Sequence, residues 1–229
     1  MTVPRSPLVR PRLFVTLLLG VMLPLFLFAR LTRELQEDGG FTADKPVLLF
    51  VHCWATPQFD RAVVQLTNTA GVKVMPVMAL LVSLGLRRAR RPRQATFFLL
   101  SVAGSAAIME TVKRFMRRTR PNLWASPAPE HDFGFPSGHS MASTSFSLSA
   151  ALLCWPTRWR FPVALLAGMY SVLIGLSRMY LGVHYPSDVL AAWTAGIAWT
   201  AGLHRLLFRA HPQQLTIRRR GQPMTDARG

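Results

Sequence analysis

Carboxylates are scarce in this chain. Asp and Glu together number 10 in 229 residues, against 27 Lys and Arg, which leaves a formal net charge of +17. They are not grouped as a divalent-metal site requires, with several oxygen ligands close together. No metal and no other cofactor is therefore expected. Cysteine is nearly absent as well. Cys53 and Cys154 fall toward opposite faces of the layout derived below, too far apart for a disulfide. No internal repeat is present. No recognised nucleic-acid-binding motif accompanies the basic excess, so nucleic acid is not an expected partner.

Apolar residues are plentiful: half of the chain is hydrophobic, and much of this is concentrated in runs. A membrane span needs about 20 mostly apolar residues. Six stretches approach that length: 13–29, 70–86, 94–112, 140–155, 161–177 and 189–208. In lipid an isolated strand would leave its backbone groups unpaired, so all six are expected to be helices. The expected fold class is all-α, a six-span transmembrane helical bundle. The fourth stretch is rich in small residues (Ala142, Ser143, Ser145, Ser147, Ser149), as is the sixth (Ala192, Gly196, Gly202). Such residues let helix backbones approach closely. The basic start with Arg5, Arg10 and Arg12, followed by an uncharged stretch from Leu13 to Ala29, resembles a signal peptide. It is longer than a usual signal core and no clear small-residue cleavage site follows, so it reads as an uncleaved first span.

Charge sets the orientation. With the N-terminus in the cytoplasm, most of the Lys and Arg fall on inner segments, including Arg87 to Arg93, Arg158, Arg160 and the tail after Ala210. That bias favours an N-in, C-in arrangement. The expected organisation is a basic cytoplasmic segment 1–12, a six-span domain 13–209 and a basic cytoplasmic tail 210–229. An outer loop 30–69 carries an interfacial stretch, Val47 to Trp54, that is too short to span.

Three short pieces carry the chemistry. The first holds Lys113, Arg120 and Pro121. The second is Pro136-Ser137-Gly138-His139. The third holds Ser177, Arg178, His184 and Asp188. Every one lies at an end of an apolar run, in the segments 113–139 and 178–188 with Ser177 as the last residue before the second, and in the six-span layout all emerge on the outer face. Phosphoryl transfer needs charge neutralisation, positioning, a nucleophile and a proton for the leaving group. Arg120 and Arg178 suit phosphate because the guanidinium fork pairs with two oxygens at once. Lys113 adds a point charge, though without the other pieces it would read as a basic flank of a span. The Pro-Ser-Gly-His tetrapeptide opens a helix, whose free amides and positive dipole end attract an anion. His184 and Asp188 are four apart and share a helix face. A carboxylate there can hold one ring proton and leave the other nitrogen nucleophilic.

In this order and at these spacings, the three pieces resemble the signature of the type-2 phosphatidic acid phosphatase family. The resemblance implies a metal-independent membrane phosphatase acting on a lipid phosphate or diphosphate. Candidate substrates are phosphatidic acid, phosphatidylglycerol phosphate, diacylglycerol diphosphate and a polyprenyl diphosphate. It further implies catalytic roles for His184 as nucleophile, Asp188 as its orienting carboxylate and His139 as proton donor and then base. Lys113, Arg120, Ser137, Gly138 and Arg178 would hold the phosphate. The expected partners are the lipid substrate and membrane lipids, and the expected location is a bacterial plasma membrane with the site facing the periplasm. Two other readings remain open: a phosphotransferase that passes the phosphate to another lipid or sugar, and a non-enzymatic protein that binds anionic lipids.

Several residues near these pieces are ambiguous. Glu130, His131 and Asp132 read as a solvated loop or as lining of the pocket mouth. Arg114, Arg117 and Arg118 read as a surface patch or as selectors of a diphosphate headgroup. His52, His204 and His211 read as bystanders, and Trp54, Trp124, Trp193 and Trp199 include expected interface anchors.

Overall fold

The computed structural model describes residues 14–15 and 17–209. The expectations for the basic segment 1–12 and the tail 210–229, His211 included, lie outside the described residues. Among those described, regular structure is entirely helical. A π-helical turn, Leu18–Met22, leads into α1, Leu23–Asp38. There follow α2 (Asp44–His52), α3 (Pro57–Asn68), α4 (Val74–Arg88), α5 (Pro92–Met116), α6 (Gly138–Cys154), α7 (Arg160–Tyr180) and α8 (Pro186–Arg209).

Local chemistry sets these boundaries. Proline lies in the first turn of α1, α3 and α5, and opens α8. It suits that position because its missing N–H would be unpaired there in any case. Thr56 caps α3, accepting from the Phe59 N–H at 3.3 Å. Gly39, at φ 69°, ends α1 in the left-handed conformation, which glycine adopts without steric cost.

Five of the six apolar stretches form helices, α4 to α8, with ends shifted by a few residues. The first apolar stretch continues nine residues beyond Ala29, through Asp38. The segment 30–69 is not an open loop. It finishes α1 and then folds into α2 and α3. Within the apolar Val47–Trp54 stretch, Leu48 is fully buried against Met179 and Val189, whereas Leu49, Phe50 and Trp54 are exposed.

Packing is inverted relative to a water-soluble bundle. Helix α6 lies between α5, α7 and α8 and buries Ser140, Ser143, Thr144, Ser145, Ser147 and Ser149. The outer surface of α7 exposes Phe161, Leu165, Leu166, Met169, Leu173 and Leu176. Small hydroxyl residues inside and large apolar ones outside are what lipid-facing helices require. An apolar face of that size is rare on a soluble monomer. Among the described residues, two helices, α5 and α7, are long and apolar enough to cross a membrane by length and composition. Cys53 and Cys154 are both free thiols.

Glycine admits two indoles into the interior. A Cβ on Gly104 would lie 2.2 Å from the Trp199 ring, and one on Gly175 would lie 2.4 Å from the Trp193 ring. Trp193 and Trp199 are therefore helix-packing residues rather than interface anchors. Gly175→Ala is expected to destabilise the bundle by about 1–3 kcal/mol through overpacking. Gly85→Ala, where nothing lies within 4 Å of the added carbon, should be neutral or stabilising by up to about 1 kcal/mol. Thermal unfolding of the two variants in detergent checks the contrast, and equal midpoints would contradict it.

Candidate active site

Four element ends and one long connection build a polar cluster at one end of the bundle. Lys113 lies in the last turn of α5, which stops at Arg117 (φ 47°). The connection 117–137 crosses the mouth of the bundle. Ser137 and Gly138 begin α6, Arg178 is near the end of α7, and His184 precedes the first turn of α8. The Ser137 N–H donates to the Asp188 carbonyl at 3.2 Å, which ties the start of α6 to the start of α8. Gly138 allows that start to pack on α5, since a Cβ there would lie 3.3 Å from the Met109 methyl.

The cations expected to bind phosphate converge. Arg178 is 1 % exposed at its side chain. Its Nη1 donates to Thr67 of α3 at 3.0 Å and its Nη2 pairs with Glu130 at 2.5 Å. Its buried Nε has no hydrogen-bond partner. Arg120 pairs with Glu130 at 2.6 Å and also with Asp132. Lys113 pairs with Asp132. Ser137 is fully buried and accepts from the Ser140 hydroxyl at 3.0 Å. Among the described residues, no group of three or more His, Cys, Asp or Glu is placed to hold a metal ion.

The two expected catalytic imidazoles face the same point. The Glu130 carboxylate lies 3.7 Å from Nδ1 of His139 and 3.8 Å from Nε2 of His184. Nη1 of Arg120 is 2.9 Å from Nε2 of His184. Arginine can only donate, so Nε2 carries the lone pair and Nδ1 the proton. That proton goes to the Gly134 carbonyl at 2.7 Å. Burial lowers the His184 pKa well below 6.5, and Arg120, Arg178 and Lys113 lower it further. The ring is therefore neutral at physiological pH, as a nucleophile must be.

An apolar cavity of about 440 Å³ opens from this point. Its walls include Met75 and Pro76 of α4, Val102 and Met109 of α5, and Ala142 of α6, with His139, Lys113 and Glu130 at its polar end.

A family model described as the PAP2 superfamily matches residues 94–212, just over half of the chain. The chain belongs to this superfamily. It is 26% identical over 179 residues to phosphatidylglycerophosphatase B of Bacillus subtilis, covering 76% of this chain and 88% of that one. It is 32% identical over 127 residues to lipid A 1-phosphatase of Rhizobium johnstonii, covering 49% of this chain and 47% of that one. The crystal structure of a transmembrane PAP2-type phosphatidylglycerolphosphate phosphatase from Bacillus subtilis superposes with a TM-score of 0.73 at 24% identity, covering 80% of this chain and 94% of that one.

Three expectations need correction within this PAP2 chain. Asp188 does not hold the His184 ring directly: Nδ1 and Oδ2 are 3.6 Å apart. Its oxygens are taken instead by Arg118 and by the Tyr185 N–H at 2.8 Å, and the Gly134 carbonyl receives the ring proton. Glu130 and Asp132 follow the pocket-mouth reading rather than that of a solvated loop, and they are counter-charges of the three cations. Burial raises the Glu130 pKa, yet Arg178, Arg120 and His139 outweigh this and hold it below the ordinary carboxylate value. Arg118 is neither a surface charge nor a headgroup selector. It is buried, spans Asp44 and Asp188, and lies 4.4 Å from the Tyr185 ring centre. Arg114 does match a surface reading, exposed and paired with Glu110 on its own helix at 2.7 Å.

Asp44 is the residue that the sequence did not reveal. It sits in the first turn of α2 and is almost fully buried. It accepts from Arg118 at 2.7 Å and from the Ser187 hydroxyl at 2.6 Å. Trp124, one of four tryptophans that include expected interface anchors, stacks on His52 with centroids 3.9 Å apart and lies against Gly182. The connection 117–137 is thereby fixed to the turn that carries His184. Removing Arg118 would strand two buried carboxylates. Arg118→Ala is expected to cost roughly 3–5 kcal/mol, and Arg118→Lys should recover only part of it because an ammonium lacks the two-pronged geometry. Detergent unfolding midpoints measure both, and an unchanged midpoint for the alanine variant would contradict the buried bridge.

Proposed function

We propose that this chain is an integral membrane phosphatase that hydrolyses a lipid phosphate or diphosphate through a phosphohistidine at His184. The observation that carries this reading is the joining of an anion site to an apolar groove. Three cations and two imidazoles meet at one point, and a cavity walled by α4, α5 and α6 runs from it. A phosphate headgroup at the polar end would leave its hydrocarbon chain between those helices. The superfamily membership and the lipid phosphates named in its relatives support the same class.

The chemistry follows from the atoms present. Arg120, Arg178 and Lys113 neutralise the phosphate oxygens, with the unmatched Nε of Arg178 as a further donor. The amides that follow Ser137 in the first turn of α6, beginning with Gly138, add an oriented positive field, while the Ser137 N–H itself is held by the Asp188 carbonyl. Nε2 of His184 attacks phosphorus in line with the leaving oxygen, forming a P–N bond as the P–O bond breaks. Burial and Arg178 push the His139 pKa down to about 4 in the unliganded site, so this ring takes up its proton as the phosphate dianion arrives. Its Nδ1, facing the same point, then gives that proton to the departing alkoxide or phosphate. The neutral His139 then takes a proton from water, whose oxygen attacks phosphorus and frees His184. The Gly134 carbonyl holds Nδ1 of His184 throughout. Asp188 acts on that ring through space at 3.6 Å.

Topology belongs to the same proposal. The exposed apolar girdle and the two long apolar helices support a membrane-embedded bundle, and we assign six spans with both termini in the cytoplasm. Helix α5 runs from the arginine-rich turn at Arg87–Arg93 to Lys113, about 30–35 Å along its axis. With the arginine-rich end inside, the site lies at the outer, periplasmic face of a bacterial plasma membrane.

The test is phosphate release by purified protein, with EDTA present, from a panel of lipid phosphates and diphosphates. Release from at least one is expected, and none from any would refute the reading. His184→Ala should abolish turnover while phosphate binding is partly kept. His139→Ala should slow alcohol-leaving substrates by about 10²–10⁴-fold and activated aryl phosphates far less. Equal losses on both substrate types would remove His139 from the proton-donor role.

A further inference from the structure

The Glu130 carboxylate occupies the point where a phosphate would sit. One oxygen is 2.5 Å from Nη2 of Arg178, the other is 2.6 Å from Nη2 of Arg120, and the pair lies 3.7 and 3.8 Å from the inward nitrogens of His139 and His184. No other acid in the cluster touches all four groups. Asp132 neutralises Lys113 and Arg120 from the outer side and is half exposed. Glu130 belongs to the non-helical connection 117–137, so it can leave without breaking a helix.

Resting on the phosphatase reading above, we propose that Glu130 is a specificity-determining residue. It is a built-in competitor that admits phosphate monoesters and terminal diphosphates and excludes phosphodiester lipids. The argument is one of charge. With Lys113, Arg120 and Arg178 opposed by Asp132 and Glu130, the cluster carries +1. When Glu130 swings out it carries +2, which a monoester dianion matches. A phosphodiester brings a single negative charge. Exchanging Glu130 for it gains nothing electrostatically and loses a carboxylate already held at short range. The distinction matters in a bilayer, where phosphodiester headgroups greatly outnumber any monoester and would otherwise fill a site of three cations joined to an apolar groove. Selection here works by an internal occupant that the wrong ligand cannot displace, a repulsive design as much as an attractive one.

Calorimetric binding to the detergent-solubilised full chain tests this without requiring turnover, so its result is independent of whether any lipid phosphate is hydrolysed. The probes are inorganic phosphate and dioctanoyl phosphatidylglycerol, a phosphodiester. The unsubstituted protein is expected to bind phosphate and to bind the diester at least tenfold more weakly. Glu130→Gln keeps the side-chain shape and removes the charge. It should tighten the diester by about tenfold or more and shrink the preference for phosphate. An unchanged preference, or weaker binding of both probes, would overturn the proposal and make Glu130 a structural tie between the arginines. Hydrogen exchange on the unsubstituted protein gives a second readout that needs no variant. Saturating phosphate should speed amide exchange across residues 128–132 as Glu130 departs, and increased protection of that segment would overturn the proposal.

Discussion

Three cations brought together in a partly dehydrated pocket repel one another, and the rest of this end of the molecule is arranged around that fact. Lys113, Arg120 and Arg178 come from α5, the 117–137 connection and α7. They can share a pocket only because Glu130 and Asp132 stand between them. In a chain with so few carboxylates, four of the ten are paired with the buried cations at this end of the bundle. Glu130 and Asp132 balance the anion site. Asp44 and Asp188 balance Arg118 just behind it. A site that must receive a phosphate dianion cannot be neutral beforehand, and it cannot fold with all its positive charge unopposed. Exchangeable carboxylates on a non-helical connection satisfy both conditions.

The scaffold turns the same constraint into geometry. Close approach of α5, α6, α7 and α8, made possible by serine, alanine and glycine at their contacts, brings helix ends near enough for Arg120 to reach His184 and for Arg178 to reach Glu130. The indoles seated over Gly104 and Gly175 set the lateral spacing of these helices. The stacked pair His52 and Trp124 presses the connection onto the His184 turn. Position at the site is thus set by packing some distance below it and by aromatic contacts above it.

Much of this was legible in the sequence, because the signals are local. Apolar runs marked α4 to α8, and prolines marked where several helices begin. The pieces around Arg120, His139 and His184 are short and dense in chemistry, so their residue types alone pointed to phosphate. What was not legible depends on contacts between distant segments. Nothing near Asp44 in the chain announces that it meets Arg118 and Ser187. The ring proton of His184 goes to a backbone carbonyl at Gly134, and a carbonyl has no side-chain signature. The spacing of His184 and Asp188 placed them near one another, although His184 lies in the turn before α8 rather than on its face, and it did not tell which of them Arg118 would claim. Glu130 read as a loop acid or as part of a pocket mouth, and not as a counter-charge, because the guanidiniums that hold it lie 10 and 48 positions away. The scarcity of acids was the available clue: where carboxylates are few, those beside a cation-rich motif are placed there for a reason.

The central claim is that one pocket gathers these cations around an anion with His184 poised to bond to it. A structure of the protein bound to orthovanadate, a mimic of five-coordinate phosphorus, tests it most directly. The account predicts vanadium bonded to Nε2 of His184, its equatorial oxygens held by Arg120, Arg178 and Lys113, and its apical oxygen within hydrogen-bond reach of His139. Vanadate bound elsewhere, or bound in this pocket through another residue with His184 turned away, would contradict it.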